Sequence, residues 1–155
     1  MLLRAVKRTG RSVSFKEYPA IGGPRLLVEK VRSGSIIRRF EKTPTPRRAE
    51  DVVCPHFLEL AWAGGCNFNC SWCYLKGTYR WRRGPSGVVS PMFKDRALVE
   101  RDLRGFLESG SPPEILNTGE LCDSLMSEWM SDPFSEFVMP KVLGSRHKLD
   151  RKSVV

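Results

Sequence analysis

Apolar and polar residues alternate in a pattern that predicts strands and helices after about residue 51. The short apolar run Phe57–Trp62 ends at two glycines, which is typical of a strand. Asp95 is a suitable cap for a helix over residues 96–109, and Gly110 is a suitable stop. The apolar stripe of this helix is predicted to be Leu98, Leu103, Phe106 and Leu107.

The same reading predicts further elements towards the end of the chain. A short strand is expected over Glu114–Asn117, followed by a helix that begins near Asp123 and a helix over residues 134–143. Residues 74–93 are expected to form a loop, and the last residues, 152–155, resemble the beginning of another strand. The order strand, helix, strand, helix predicts an α/β fold with a parallel sheet.

Residues 1–50 lack a sustained period and predict an irregular, basic leader ahead of a second region, residues 51–155. Short strands are expected in it near Leu26–Val31 and Ser35–Phe40. The leader carries 13 Lys and Arg against 4 Asp and Glu, which accounts for the whole net charge of +9. It is either a solvated basic segment or a surface for nucleic-acid phosphates, with Arg38-Arg39 and Arg47-Arg48 as the best candidates.

The 155-residue composition, 41% hydrophobic and 28% charged, is that of a soluble globular protein. The longest apolar runs are too short to cross a bilayer, and no secretory signal is predicted at the N-terminus. Five cysteines, three of them close together, argue against a disulfide framework. We therefore predict a cytoplasmic protein with a metal site and no membrane partner.

The three clustered cysteines are the strongest functional signal. Cys66, Cys70 and Cys73 have the spacing C-x3-C-x2-C and follow the predicted strand and Gly64-Gly65 at once. Three thiolates can hold three irons of a [4Fe-4S] cluster and leave the fourth open to a ligand. The main alternative is a structural zinc site, for which Cys54 or His56 would be the fourth ligand.

This motif resembles the signature of the radical S-adenosylmethionine (SAM) superfamily, with Trp72 before the third cysteine. About 44 residues later, Asn117-Thr118-Gly119-Glu120 is similar to the segment that ends the second strand in those enzymes. The stretches Leu60–Leu75 and Leu116–Leu125, with Pro133-Phe134, resemble spore photoproduct lyase-like proteins. The resemblance covers residues 54–155 and implies an incomplete (β/α) radical SAM partial barrel.

The resemblance implies roles for particular residues. Cys66, Cys70 and Cys73 would hold a [4Fe-4S] cluster, whose electron cleaves SAM to a 5′-deoxyadenosyl radical. The expected contacts to SAM come from Tyr74, Thr118, Gly119 and Glu120.

Cys122 marks a departure from the family pattern. Spore photoproduct lyases carry a hydrogen-donating cysteine where this chain has Glu120, which weakens the expectation of thymine-dimer repair. Cys122, two residues further on, is the candidate catalytic hydrogen donor. The alternative is that Cys122 is a small buried residue.

The expected partners follow from the same resemblance. They are an electron donor such as a flavodoxin or ferredoxin, and nucleic acid as substrate. A complete barrel needs roughly 250 residues, so the chain is expected to be either a piece of a larger domain or half of a split one that a second polypeptide completes. Tyr79 and Trp81, with Arg80, Arg82 and Arg83, form a basic-aromatic cluster that suits nucleic acid or a plain exposed loop. The competing function is a zinc- or cluster-stabilised nucleic-acid-binding module without catalysis.

Overall fold

The computed structural model describes residues 13–19, 22–40, 57–79, 84–131 and 133–150. The strands are β1 (Val13–Tyr18), β2 (Arg25–Val31), β3 (Ile37–Phe40), β4 (Phe57–Leu60), β5 (Ala63–Cys66), β6 (Val89–Phe93), β7 (Ile115–Asn117) and β8 (Lys148–Asp150). The helices are α1 (Leu75–Thr78), α2 (Arg96–Leu107), α3 (Phe134–Phe137) and α4 (Met139–Leu143).

The main sheet changes from antiparallel to parallel at β4. Its strand order is β1-β2-β3-β4-β7-β8, where β1 to β4 pair antiparallel and β4, β7 and β8 pair parallel. A separate two-stranded sheet joins β5 to β6. Because β4 and β7 run in the same direction, the segments that follow them emerge at one edge of the sheet.

The N-terminal strands correct the prediction of an irregular leader. The strands expected near Leu26–Val31 and Ser35–Phe40 are confirmed as β2 and β3, and β1 precedes them. Strands β1, β2 and β3 are therefore part of the main sheet, and β3 pairs with β4. Arg47-Arg48 and the boundary predicted between residues 50 and 51 lie outside the described residues.

Helix α2 confirms the predicted helix and its cap. The Asp95 carboxylate accepts a hydrogen bond from the Leu98 N–H at 3.1 Å. Val99, Leu103 and Phe106 are buried, a spacing of four and three residues that lines one helix face. Leu98, which the predicted stripe included, is exposed because it lies about 100° around the helix from that face. The strand expected over Glu114–Asn117 is confirmed as β7.

Two local predictions were wrong. The segment after Asp123 is a series of turns, because its N–H groups bond three residues back, as Met126 does to Asp123 at 3.2 Å. The loop expected over residues 74–93 contains α1 and β6.

The end of the chain also differs in detail from the prediction. The helix expected over residues 134–143 is divided at Val138 into α3 and α4, since Pro140 cannot donate a backbone hydrogen bond. The strand expected over residues 152–155 lies outside the described residues, and β8 precedes it.

The core includes one face of the main sheet. Leu58, Leu116 and Leu149 are register partners on β4, β7 and β8, and Leu103 and Phe106 of α2 belong to the same apolar cluster. Burial of such side chains is the main source of stability in a domain of this size.

A buried ion pair joins the antiparallel and parallel parts of the sheet. The Arg39 guanidinium pairs with the Glu114 carboxylate and donates to the Val28 carbonyl at 2.7 Å. Glu114 also accepts from the Val28 N–H at 3.1 Å, and its own N–H donates to His147 Nδ1 at 3.3 Å. Strands β2 and β3 and the beginnings of β7 and β8 are thus connected by one polar network.

Candidate functional site

The three cysteines lie on the segment that follows β4 and differ in exposure. Cys66 ends β5 and is buried, Cys73 is half-buried and Cys70 is exposed. The Cys73 N–H donates to the Cys70 carbonyl at 3.2 Å, so the second and third cysteines share a turn. All three are free thiols, as is Cys122.

Gly65 sets the path of the chain into this loop. Its φ of +81° lies in the left-handed region, and a Cβ there would stand 2.7 Å from the Ser90 carbonyl oxygen on β6. Only glycine tolerates both the dihedral angle and the close strand. Gly65, one of the two glycines between the predicted strand and the cysteines, therefore allows β5 to pair closely with β6.

Three hydrogen bonds connect the cysteine loop, residues 66–73, and the residues that flank it to the segment after β7. Trp62 Nε1 donates to the Thr118 carbonyl at 3.3 Å, and the Gly65 N–H donates to the Leu121 carbonyl at 2.9 Å. The Tyr74 hydroxyl donates to the Glu120 carbonyl. The structure thus brings together Tyr74 and the segment of residues 118–120, which the sequence had singled out 44 residues apart.

Thr118 and Gly119 are held by the fold itself. The Thr118 and Ser124 hydroxyls lie 2.7 Å apart, and the Thr118 N–H donates to the Asp150 carbonyl at 3.0 Å. The Gly119 N–H donates to Asn117 Oδ1 at 3.0 Å. Both residues are buried, so the backbone that follows β7 has a fixed course.

Electrostatics at this edge favour neutral groups in the absence of a ligand. Burial raises the pKa of the Cys66 thiol, and the charges of Asp123 and Cys73 add to that rise. Burial raises the pKa of Cys122 far above its ordinary value, and its thiol donates to the Thr118 carbonyl at 3.8 Å. Burial and the nearby Glu120 charge raise the pKa of Tyr74, which keeps its hydroxyl a donor.

The thiols suit a metal by their chemistry, although they are not preassembled around one. Among the described residues, no three His, Cys, Asp or Glu side chains form a group that could hold a metal ion. Cys66 and Cys73 are close enough to interact electrostatically, and the exposed Cys70 lies on the same loop. Three thiol donors within one short loop fit an iron–sulfur cluster, and ordering them around it is part of binding.

A polar groove of about 350 Å³ adjoins the loop on the side of β3 and β4. Arg38 and Glu59, register partners on these strands, lie 3.0 Å apart from Nε to Oε2. The lining is Arg38, Arg39, Phe40, Glu59, Tyr74, Thr78, Glu120 and Leu121. The groove therefore contains two predicted SAM-contact residues, Tyr74 and Glu120.

Sequence reasoning missed the pairing of Arg38 with Glu59. The signal was a single carboxylate inside the apolar run Phe57–Leu60, which is unusual unless the charge is paired.

Arg39 is not the surface cation that the phosphate hypothesis required, because it is buried against Glu114. Of the basic-aromatic cluster, Tyr79 packs against the core, whereas Arg80, Trp81, Arg82 and Arg83 lie outside the described residues. Cys54 and His56, the candidate zinc ligands, also lie outside them.

Comparison of the chain with protein-family models, with curated proteins and with solved structures gives no significant match. In the part of the chain that the structure describes, no helix combines the length and apolarity needed to span a bilayer.

Proposed function

We propose that this chain contains the cluster- and SAM-binding part of a radical SAM enzyme. The observation that carries the proposal is the junction between the cysteine loop and the segment after β7. Two parallel neighbouring strands, β4 and β7, end at this junction, and three hydrogen bonds close it. Ligands of α/β proteins bind at such carboxyl edges.

Cys66, Cys70 and Cys73 would hold a [4Fe-4S] cluster, with one iron open to SAM. When bound, that cluster supplies the electron for reductive cleavage of SAM. The electron donor in this proposal is a flavodoxin- or ferredoxin-like protein of the cytoplasm.

The chain's own groups would orient SAM beside the cysteine loop. The hydrogen bond from Tyr74 to the Glu120 carbonyl positions the segment of residues 118–120 against that loop. The Glu120 carboxylate and the strand-end carbonyls can accept hydrogen bonds from an ammonium group. Thr118 and Gly119 contribute a fixed backbone, which lowers the entropic cost of ordering the site.

Iron content after anaerobic reconstitution tests the metal ligands. The wild-type chain should be brown and contain about four iron and four sulfide per chain, the composition of a [4Fe-4S] cluster. Cys66→Ala, Cys70→Ala and Cys73→Ala should each lose most of the iron, whereas Cys122→Ala, the matched thiol control, should retain it. A colourless chain with one tightly bound zinc would contradict the proposal and favour the zinc-stabilised module.

Cleavage of SAM tests the second half of the proposal. With the cluster in place and dithionite as reductant, the chain together with any completing polypeptide should form 5′-deoxyadenosine. Glu120→Gln should weaken SAM binding, measured by the change in the cluster's electron paramagnetic resonance spectrum, without loss of iron. An iron-loaded assembly that neither binds nor cleaves SAM would contradict the assignment.

A further inference from the structure

The turn that joins the second and third cysteines is exposed to solvent. The Cys73 N–H donates to the Cys70 carbonyl at 3.2 Å, which closes a four-residue turn with Ser71 and Trp72 at its centre. Cys70, Ser71 and Trp72 are exposed, and Cys73 is half-buried. A reagent from solvent can therefore reach the Cys70 side chain directly.

This turn places the two cysteines within the reach of a disulfide. A turn of this kind holds its first and last Cα atoms within about 7 Å of each other, and disulfides usually span Cα distances of about 4.4–6.8 Å. The spacing Cys-x-x-Cys is also that of redox-active dithiols in intracellular proteins. Both thiols are free, so Cys70 and Cys73 have the spacing and the backbone geometry of a dithiol that can be oxidised.

Cys66 and Cys122 are poorly suited to the same chemistry. Cys66 ends β5, pairs with Val89 on β6 and is only 8% exposed. Cys122 is 3% exposed. Because thiol–disulfide exchange needs access of one sulfur to another, the accessible pair among the described cysteines is Cys70 and Cys73.

We propose that Cys70 and Cys73 form a thiol–disulfide site that reacts with small disulfides such as oxidised glutathione. The Cys70 thiolate attacks one sulfur of the small disulfide and releases one thiol, which leaves a mixed disulfide on Cys70. Cys73 then attacks the Cys70 sulfur and expels the second thiol. The protein dithiol thus loses two electrons and two protons, and the small disulfide takes them up and becomes two thiols.

The charge beside the turn favours a disulfide that carries carboxylates. The Lys76 ammonium group donates to the carbonyl of Asn69, the residue before Cys70, at 3.4 Å. A positive charge therefore lies beside the exposed turn, where it can attract an anionic reagent. Oxidised glutathione carries such carboxylates, whereas a neutral disulfide gains nothing from this charge.

The site would give the cysteine loop a redox control. This control rests on the proposed function, since the same two thiols would be iron ligands there. A disulfide removes both from the set of ligands, because it is the thiolate that binds iron. The oxidised chain would take up a cluster only after a reducing thiol had opened the disulfide.

Oxidation of the full-length, iron-free chain tests the site. The chain is incubated with oxidised glutathione at pH 7.5, alkylated in denaturant and analysed by mass spectrometry, and it should show two fewer alkylated cysteines. Chymotrypsin, which cleaves after aromatic residues, can cut at Phe68 and Trp72 and so separates Cys66, Cys70 and Cys73 into different peptides. The peptides of Cys70 and Cys73 should be joined.

Variants of the turn separate the two steps and the charge. Cys73→Ser should stop at the mixed disulfide and keep one glutathione on Cys70. Cys70→Ser should react roughly tenfold more slowly, because the thiol that remains is half-buried. Cys122→Ala is the matched thiol control and should form the same disulfide at the wild-type rate. Lys76→Gln should slow the reaction with oxidised glutathione and leave that with neutral bis(2-hydroxyethyl) disulfide unchanged.

The proposal is wrong if the number of alkylated cysteines does not change, if the disulfide contains Cys66, or if Cys70→Ser reacts at the wild-type rate. An equal effect of Lys76→Gln on both small disulfides would overturn the preference for carboxylates. Iron uptake separates the site from the cluster proposal. If the oxidised chain takes up as much iron as the reduced chain, the redox control is wrong. If neither takes up iron, the cluster proposal fails and the disulfide result stands.

Discussion

At the scale of single residues, Gly65 shows how one backbone position controls the candidate site. Its left-handed conformation directs the chain from β5 into the cysteine loop, and its N–H bonds the segment after β7. Loss of this conformation would disturb both sides of the junction, since β6 crosses directly beside it.

We predict that Gly65→Ala destabilises the protein by roughly 2 kcal/mol or more, because the new Cβ meets the Ser90 carbonyl and the dihedral angle is strained. Urea unfolding followed by far-ultraviolet circular dichroism measures the change. Gly77→Ala is the control, since a Cβ at this helical glycine has no atom within 4 Å. The Gly77→Ala substitution should be neutral or stabilising, by up to about 1 kcal/mol. A Gly65→Ala protein as stable as the wild type would contradict the argument.

Residue identity revealed the candidate thiols but not their surroundings. The spacing of Cys66, Cys70 and Cys73 is visible in the sequence, whereas Cys66 is buried where it pairs with Val89 on β6, 23 positions further along the chain. Arg38 and Arg39 look equivalent in the sequence. They differ in the fold because consecutive residues of a strand point to opposite faces, and only Arg39 meets Glu114.

At the scale of secondary-structure elements, His147 connects the beginnings of β7 and β8. Burial holds the pKa of its imidazole below the ordinary value, with the Arg146 charge adding to the effect and Glu114 opposing it. The neutral ring accepts from the Glu114 N–H, and it packs against Phe106 with ring centroids 4.4 Å apart. Protonation of Nδ1 would make it a donor, and the hydrogen bond from the Glu114 N–H would be lost.

We predict that stability falls on acidification below about pH 6.5, the ordinary pKa of histidine. Because the folded pKa is the lower one, the unfolded chain takes up a proton first, and the free energy of unfolding decreases until the folded pKa is passed. His147→Asn keeps a polar side chain without a titrating ring and should show a smaller decrease between pH 7.5 and pH 5. Urea titrations at several pH values give the change of the unfolding free energy with pH for the wild type and for His147→Asn. The same change in both proteins would show that His147 is not responsible.

Elements with strong local signals were predictable and those set by distant contacts were not. Helix α2 has a cap and a long periodic stripe, so propensity and burial agree. The turns after Asp123 carry a similar apolar pattern, but the Asp123 side chain accepts from the Leu125 N–H at 2.8 Å, which favours a local turn over a helix. Strand β8 has three residues and depends on its partner β7.

At the scale of the whole molecule, β1 to β3 are a structural part of the sheet that carries the site. Ile37 on β3 is fully buried and faces Leu60 on β4 in the register. The basic composition of residues 1–50 concealed this role, because charge describes the exposed face of a strand and says little about the buried one.

We predict that Ile37→Asp unfolds the entire domain, because a buried carboxylate beside β4 costs several kcal/mol, a large part of a domain's stability of about 5–15 kcal/mol. Fluorescence of the buried Trp62 and circular dichroism should both report the loss. Leu26→Asp on the neighbouring strand β2 is the control, since Leu26 is exposed, and should remain folded. An Ile37→Asp protein that keeps residues 57–150 folded would show that the N-terminal strands are dispensable.

The change of direction at β4 also has a consequence for the order of folding. The pairs among β1, β2 and β3 close short loops, and Arg38 on β3 pairs with Glu59 on β4 across 21 positions. By contrast, Leu58 on β4 pairs with Leu116 on β7 only after the intervening 57 residues have been arranged. Longer loops cost more entropy to close, so the antiparallel strands should assemble first and present β3 as a template for β4. The junction that gathers the cysteine loop and residues 118–121 would then form late, and newly made chains would pass through a stage in which the thiols are accessible before the pocket beside them exists.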